Sequence, residues 1–356
     1  DRKESSELLS VRLLIPLLLS LLPIALLWRV RLQPRSWRRA LGMRAGFLLV
    51  VVLVGAGGVQ LAARDITSMI RNHHEIRYLV TPANYLVSLV NVLLSSPPGP
   101  KPALLPIGMD ASQKPRAEGS KPRLLVLVVG ETARAQNWGL NGYARQTTPE
   151  LSQIEGLVNF PHVTSCGSST EVSLPCMFSS YGRKDYDEDK IRSHQSLLHV
   201  LDHAGIATLW RDNQSGCKGV CDGLPTQRLE DEQDAGLCNG KRCVDEILLK
   251  DLQAQISPGN GDRVVVLHQL GNHGPNYYER YPARFRRFTP TCENPELGQC
   301  ARQEIINSYD NALLYTDHFL AATIGFLKAQ KDYETALVYV SDHSESLGEK
   351  GLLLHG

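Results

Sequence analysis

The sequence lacks an excess of charge of either sign. Its 356 residues include 38 basic and 37 acidic side chains, so the formal net charge is only +1. Without a basic excess, the composition gives no indication of nucleic-acid binding. No internal repeat is apparent. Because 42% of the residues are hydrophobic, the chain has ample material for the core of one large domain or two ordinary ones.

Charge is missing altogether from two apolar stretches in the first third of the chain. Residues 13–28 and 45–63 contain no Asp, Glu, Lys or Arg, and each approaches the roughly 20 residues that a membrane-spanning helix needs. The sequence therefore predicts two spanning helices. A lone signal peptide is the alternative, but Pro16, Pro23 and the second apolar stretch disfavour it. Six arginines between the stretches predict a cytoplasmic loop, with everything after Arg64 outside the cytoplasm.

Cysteine is absent before position 166 and after position 300, yet eight cysteines lie between these positions. An even number of cysteines in an oxidising compartment indicates a framework of disulfide bonds. The spacings of Cys217 with Cys221 and of Cys238 with Cys243 also leave a structural zinc site open as an alternative.

The organisation of the chain follows from these patterns. We expect transmembrane helices over residues 1–64, an interfacial helix and a Pro-rich bridging linker over residues 65–122, and a soluble domain over residues 123–356. The chain opens on Asp1 rather than Met and stops just after an apolar turn. We therefore expect a fragment that is truncated at both ends.

The soluble part alternates apolar strands with helix-like stretches. Strands are predicted near residues 124–130, 206–210, 264–268 and 336–341, and helices over residues 193–204 and 307–327. This alternation predicts an α/β fold with helices on both faces of a mostly parallel sheet.

Residues of the types that bind metals follow three of these strands. Glu131 follows the first, His268 ends another, and Asp342 and His343 follow the last. Ligands gather outside the carboxyl ends of parallel strands, so we expect Glu131, Asp342 and His343 to meet. Singly, each has an ordinary explanation, such as a helix cap or a polar strand end. Together, two carboxylates, an imidazole and the hydroxyl of Thr170 form a set suited to zinc, with manganese as second choice.

Five local sequences carry a resemblance to a known family. They are Gly-Glu-Thr-Ala-Arg at 130–134, Asn-Gly-Tyr at 141–143, Cys-Gly-Ser-Ser-Thr at 166–170, Asn-His-Gly-Pro at 272–275 and Ser-Asp-His-Ser-Glu-Ser-Leu-Gly-Glu at 341–349. In these segments the chain closely resembles the phosphoethanolamine transferases of Gram-negative inner membranes, which include lipid A modifying and mobile colistin-resistance enzymes. The resemblance covers almost the whole chain. It implies an alkaline-phosphatase-like α/β/α sandwich on a multi-pass inner-membrane protein with its catalytic domain in the periplasm.

The resemblance also implies roles for individual residues. The implied zinc ligands are Glu131, Thr170, Asp342 and His343. Thr170 would in addition be the nucleophile that becomes phosphorylated, because coordination to a cation lowers the pKa of a hydroxyl that is otherwise a poor nucleophile. His273 and His355 would contact the phosphoryl group of the substrate or a second zinc ion.

Two further expectations come from the family pattern. Together with the even cysteine count, it implies four disulfide bonds between sequence neighbours: Cys166–Cys176, Cys217–Cys221, Cys238–Cys243 and Cys292–Cys300. The family usually has Gly where this chain has Ser344. If the backbone there requires a positive φ, serine would strain it and disturb His343.

The implied function is transfer of phosphoethanolamine from phosphatidylethanolamine to lipid A or another group of lipopolysaccharide, which contributes to polymyxin resistance. The expected partners are the phosphatidylethanolamine donor, a lipid A or lipopolysaccharide core acceptor and membrane lipids, with the protein as a monomer. A phosphodiesterase or sulfatase-type hydrolase of the same superfamily is one alternative. A non-catalytic envelope protein that keeps the fold for binding is another.

Overall fold

The structure is a computed structural model that describes residues 19, 36–61, 84–85, 88–90, 103–256 and 261–355. The chain divides into two compact units. One contains residues 10–102, and the other contains residues 1–9 together with residues 103–356.

The first unit contains one long described helix, α1 (Trp37–Leu61). This helix covers most of the second apolar stretch, and Phe47 and Val54 are among its exposed side chains. No helix within the described residues combines the length and the apolar character needed to cross a membrane. Apart from Leu19, the first apolar stretch lies outside the described residues. So does the predicted interfacial helix, except for residues 84–85 and 88–90, which are helical.

The second unit is built on a five-stranded sheet whose strand order is β3-β2-β4-β1-β5. The strands are β1 (Arg123–Gly130), β2 (Ala207–Asp212), β3 (Thr226–Arg228), β4 (Arg263–His268) and β5 (Glu334–Ser341). Every pair in this sheet is parallel, which confirms the predicted parallel α/β class. The central strands form from runs of Val and Leu because such side chains suit a strand that is buried on both faces.

The sheet is covered on both faces. Along β1, Leu124, Val126 and Val128 belong to one apolar cluster, whereas Val129 belongs to a second cluster, as the alternation of side chains along a strand requires. Helix α6 (Arg302–Ala329) packs in the first cluster through residues such as Tyr309. Helices α2 (Thr170–Met177) and α4 (Leu197–His203) pack in the second.

Short elements complete the second unit. They are α3 (Glu188–Ser193), α5 (Leu252–Ile256) and a small antiparallel pair, β6 (Ser346–Leu347) with β7 (Leu353–Leu354). Single 3-10 turns lie at Ala135–Asn137, Gly139–Asn141, Leu151–Gln153, Asp245–Leu249, Tyr277–Glu279, Ala283–Phe285, Leu297–Gln299 and Glu349–Gly351. Leu105, within the predicted linker, hydrogen-bonds to the backbone of Ser193 and Gln195.

All eight cysteines are paired as the family pattern implies. The bonds are Cys166–Cys176, Cys217–Cys221, Cys238–Cys243 and Cys292–Cys300. The alternative of a structural zinc site on cysteine thiolates is therefore wrong.

Candidate metal and nucleophile site

The site lies where β1 and β5 end side by side. Gly130, the last residue of β1, pairs with Ser341, the last residue of β5. Glu131 and Asp342 are the next residues along each strand, and the Asp342 N–H donates to the Gly130 carbonyl at 2.9 Å. The parallel sheet thus brings together carboxylates that are far apart in sequence, as the positions of the strand ends predicted.

Thr170 is the first residue of α2 and is 7% exposed. Its Oγ1 donates a hydrogen bond to Glu131 Oε2 at 2.9 Å and lies 3.3 Å from His343 Nε2. The Cys166–Cys176 bond spans the turn that presents Thr170. The hydroxyl is therefore held among a carboxylate and an imidazole in a buried setting.

The ionisable groups of the cluster shift one another's pKa. Burial and the charge of Glu131 raise the pKa of Asp342 to about 7. Burial alone would raise the pKa of Glu131 as well, but His343, His273 and Thr170 hold it well below its usual range. Burial would lower the pKa of His343, yet contact with Glu131 and the charge of Asp342 raise it to about 9. The cluster therefore favours a positive charge between the carboxylates.

Two buried carboxylate oxygens show that the site suits a cation. Glu131 Oε1 and Asp342 Oδ2 accept no hydrogen bond, although they lie 3.3 and 3.4 Å from His343 Nε2. A buried charged oxygen is costly unless a donor or a metal ion satisfies it. Two carboxylates, a hydroxyl and an imidazole are donors that a divalent cation accepts. The residues present therefore fit such an ion.

His355 lies within the same cluster as two of the predicted metal ligands, Glu131 and His343. One ligand atom from each of Glu131, His343 and His355 lies within 4.8 Å of the others. The His355 ring is 4.4 Å from that of His343 and 5.9 Å from that of His273. Burial and the charge of His343 lower the pKa of His355 to about 4, so this imidazole is neutral near pH 7 and able to bind a cation.

His273 is carried by a turn that packs tightly against Glu131. Gly271 has a φ of +51°, and a Cβ added there would lie 2.9 Å from the Glu131 carbonyl oxygen, so only glycine fits. Buried Asp245 accepts hydrogen bonds from the N–H groups of Leu270 and Gly271 at 2.8 and 2.9 Å. Asp245 thereby fixes the turn that positions His273.

Ser344 does not strain the site. It is not among the described non-glycine residues with positive φ, so the condition under which serine would be unfavourable is not met. Its carbonyl oxygen lies 3.0 Å from Nδ1 of His343, which fixes the orientation of that ring.

Sequence reasoning missed Gln214 and did not predict the partner of His268. Gln214 Nε2 donates a hydrogen bond to Glu131 Oε2 at 2.9 Å, so this oxygen accepts hydrogen bonds from both Gln214 and Thr170. His268 is fully buried, and its Nδ1 pairs with Asp212 Oδ2 at 2.9 Å. Asp212 and Gln214 come at and just after the end of β2. Applying the strand-end rule to β2 would have marked both as candidates, although it would not have predicted their partners.

The chain is similar to several known proteins. Residues 123–356 match the sequence profile of a family described as Sulfatase, and residues 1–96 match one described as Phosphoethanolamine transferase EptA/EptB. The chain is 41% identical, over its whole length, to the phosphatidylethanolamine transferase Mcr-2 of Escherichia coli and covers 68% of that protein.

Two solved structures extend the comparison. The integral membrane lipooligosaccharide phosphoethanolamine transferase A (EptA) of Neisseria meningitidis matches with a TM-score of 0.87 and 40% identity, over 100% of this chain and 66% of that one. The C-terminal periplasmic domain of EcEptC from Escherichia coli, in complex with Zn, matches with a TM-score of 0.58 and 28% identity, over 71% of this chain and 72% of that one. The chain thus spans about two thirds of the length of its full-length relatives.

Proposed function

Because the chain belongs to the phosphoethanolamine transferase family, we propose that it transfers phosphoethanolamine from phosphatidylethanolamine to a phosphate of lipid A or another lipopolysaccharide group. The observation that carries the proposal is the buried hydroxyl of Thr170, 2.9 Å from Glu131 Oε2 within the cation-binding cluster. A buried hydroxyl beside a carboxylate and a cation site is arranged to act as a nucleophile. Such activity would contribute to polymyxin resistance.

The reaction has two steps that share one covalent intermediate. Thr170 Oγ1 attacks the phosphorus of the donor, a bond forms between them, and the bond from phosphorus to the diacylglycerol oxygen breaks. The Thr170 proton passes to Glu131 Oε2, its hydrogen-bond acceptor, and is passed on from there to the departing diacylglycerol oxygen. An acceptor oxygen then attacks the same phosphorus, the bond from phosphorus to Thr170 Oγ1 breaks, and the proton that the acceptor releases restores the Thr170 hydroxyl.

We assign zinc as the cation, held by Glu131, Thr170, Asp342 and His343. When bound, it would lower the pKa of the threonine hydroxyl and offset charge on the phosphoryl oxygens. His355 and His273 line the same cluster and would contact the phosphoryl group, the departing oxygen or a second zinc ion. Gln214 orients Glu131 through its hydrogen bond to Oε2.

The rest of the chain would hold this domain at the inner membrane as a monomer. Residues 1–64 would span the membrane, residues 65–122 would form an interfacial helix and a bridge, and residues 123–356 would lie in the periplasm. The match of residues 1–96 to a phosphoethanolamine transferase profile supports this arrangement. The four disulfides support it as well, because such bonds persist in oxidising compartments.

Substitution of the nucleophile tests the proposal. Full-length protein given phosphatidylethanolamine is expected to carry phosphoethanolamine on Thr170, detected by mass spectrometry of the tryptic peptide. Thr170→Ala is expected to abolish this adduct and to slow transfer at least about a thousandfold, because it removes the hydroxyl that forms the intermediate. Thr226→Ala, at an exposed position of the edge strand β3, is the matched control and is expected to transfer normally.

The ligand variants separate metal binding from attack. Glu131→Ala and Asp342→Ala are expected to lose both the metal and turnover, whereas His273→Ala is expected to keep the metal and to slow transfer. Metal content is measured by mass spectrometry of the purified proteins. Normal transfer by Thr170→Ala, or full metal loading of both carboxylate variants, would falsify the proposal.

A further inference from the structure

An exposed apolar loop lies just before the nucleophile. Every residue from 158 to 164 is exposed. Three of them are large and apolar: Val158 and Phe160 are each 73% exposed, and Val163 is 61% exposed. We call these seven residues the 158–164 loop. Apolar side chains concentrated at one exposed place mark an interaction surface more often than scattered ones do.

The loop and the segment that follows it carry no formal charge. Residues 156–170 contain no Asp, Glu, Lys or Arg, although 21% of the chain is charged. A soluble surface is normally rich in such side chains. Their absence removes the charge-desolvation cost that would oppose contact with an apolar phase.

A side-chain hydrogen bond also ties the loop to another part of the domain. Asn159, between Val158 and Phe160, donates its side-chain N–H to Asn141 Oδ1 at 2.8 Å. Asn141 in turn donates to the Ala135 carbonyl at 3.0 Å. The polar residue is therefore tied to the domain while its two apolar neighbours stay exposed. An anchored loop loses little conformational entropy when it binds.

Chain length limits how far the loop can lie from the candidate site. Thr170 is the seventh residue after Val163, so their Cα atoms can lie no more than about 25 Å apart. Phosphatidylethanolamine and lipid A are both membrane lipids, so a surface that grips lipid beside Thr170 would bring their phosphate groups to the nucleophile.

We propose that the 158–164 loop inserts Val158, Phe160 and Val163 into the boundary between headgroups and acyl chains of the bilayer. It holds the catalytic domain against the lipid surface next to Thr170. Asn159 and His162 lie at the headgroup level, as polar residues of interfacial segments do. The inference rests on the proposed function only in taking the substrate to be a lipid.

Photo-crosslinking tests the contact directly. A benzophenone amino acid is placed at position 160 of the full-length protein, in nanodiscs of phosphatidylethanolamine and phosphatidylglycerol. Illumination is expected to attach phospholipid to the peptide that contains position 160, seen as a mass increase. The same probe at Val338, which is 50% exposed on β5, is the matched control and is expected to give little lipid adduct. Three outcomes would overturn the proposal. They are adducts at position 160 that form only with residues 10–102 of the chain, no adduct at all, and equal lipid labelling at positions 160 and 338.

Kinetics test the consequence. The triple variant Val158→Ser, Phe160→Ser, Val163→Ser is expected to raise the KM for phosphatidylethanolamine in vesicles about tenfold or more. Its kcat, and its turnover of a short-chain donor dissolved below its micelle concentration, are expected to remain near those of the parent. Val338→Ser is expected to behave like the parent on both donors. Equal loss on vesicle and soluble donors would mean a folding defect and would sink the idea, as would an unchanged KM.

The two proposals fail in different ways. If the parent protein forms no Thr170 adduct and transfers nothing, the transferase function is wrong, yet lipid crosslinking at position 160 still reports on the loop. If the parent transfers normally and position 160 never labels lipid, the function stands and the docking surface is wrong.

Discussion

Glu131 and Asp342 carry the same functional group, yet their pKa values shift in opposite directions. Burial and the neighbouring charge of Glu131 raise the pKa of Asp342 to about 7. The pKa of Glu131 is lowered because the effects of His343, His273 and Thr170 outweigh the effect of burial. Two negative charges this close together repel each other, so a proton or a cation must compensate for the second one.

If zinc binds at the proposed ligands, its affinity is expected to fall as the pH is lowered from 9 to 6. His343, with its pKa raised to about 9, and Asp342, with its pKa raised to about 7, must both lose their protons to bind the metal. Below each pKa, the affinity is expected to weaken by about tenfold per pH unit for each proton displaced. Competition against a chelator at pH 6, 7, 8 and 9 measures this slope. His355, with its pKa lowered to about 4, stays neutral throughout and adds none. An affinity that is flat over this range would contradict the assignment of ligands.

The sequence predicted the residues that follow long apolar strands, and it missed the contacts that depend on side-chain direction. Glu131 and Asp342 could be paired from the strand pattern alone. The hydrogen bond from Gln214 to Glu131 could not, because it depends on the order in which β2, β4 and β1 lie in the sheet. The burial of His268 against Asp212 depends on that same order.

At the scale of elements, the Cys166–Cys176 bond brackets the turn and helix that carry Thr170. Replacing both cysteines by serine is expected to lower kcat well before it unfolds the protein, because Thr170 loses its fixed position. The Cys292–Cys300 pair is the matched control, since its loop of 8 residues resembles the other loop of 10. Removing either bond is expected to cost roughly 2.5 kcal/mol of stability. Transfer rates and thermal unfolding of both double variants, compared side by side, would show whether the first pair matters more for turnover.

Asp245→Asn is expected to disturb the turn that presents His273. The amide nitrogen of asparagine would face an N–H of the turn where a carboxylate oxygen now accepts, which costs about 1–3 kcal/mol. Transfer by the folded variant is expected to slow because His273 shifts. Asp262→Asn is the control: Asp262 accepts from the Arg123 N–H at 2.9 Å, at the opposite end of β1. Chemical denaturation and kcat are measured for both, and equal slowing by the two variants would argue against a positioning role for Asp245.

Elements with a strong pattern were predictable, and the shortest were not. The predicted strand at 264–268 and the predicted helix at 307–327 correspond to β4 and α6. Strand β3 and the pair β6–β7 have only two or three residues per strand, too few for any periodicity to be recognised. The helix predicted from residue 193 begins at Leu197, because the Ser196 side chain caps it by accepting from the Leu198 N–H.

At the scale of the whole molecule, compartment is the property to test. A reporter enzyme that needs disulfides to fold, fused after Pro122, is expected to be active because residues after Arg64 are predicted to lie in the periplasm. Fusion after Arg35, within the arginine-rich loop, is the control and is expected to be inactive. Activity is measured in intact cells. If the reporter fused after Pro122 is inactive although the fusion protein is present at normal levels, the result would contradict the predicted topology. It would also contradict an oxidising environment for the disulfides.

Glu131 follows the first strand of the sheet in sequence, whereas Asp342 and His343 follow the last. During synthesis, the growing chain therefore contains Glu131 and Thr170 long before it contains the other proposed ligands. The coordination set cannot close until β5 has docked beside β1. A cation can therefore bind at this site only after the whole sheet has been synthesised and folded. A chain that ends before β5 would lack both activity and the stabilisation that a bound ion gives.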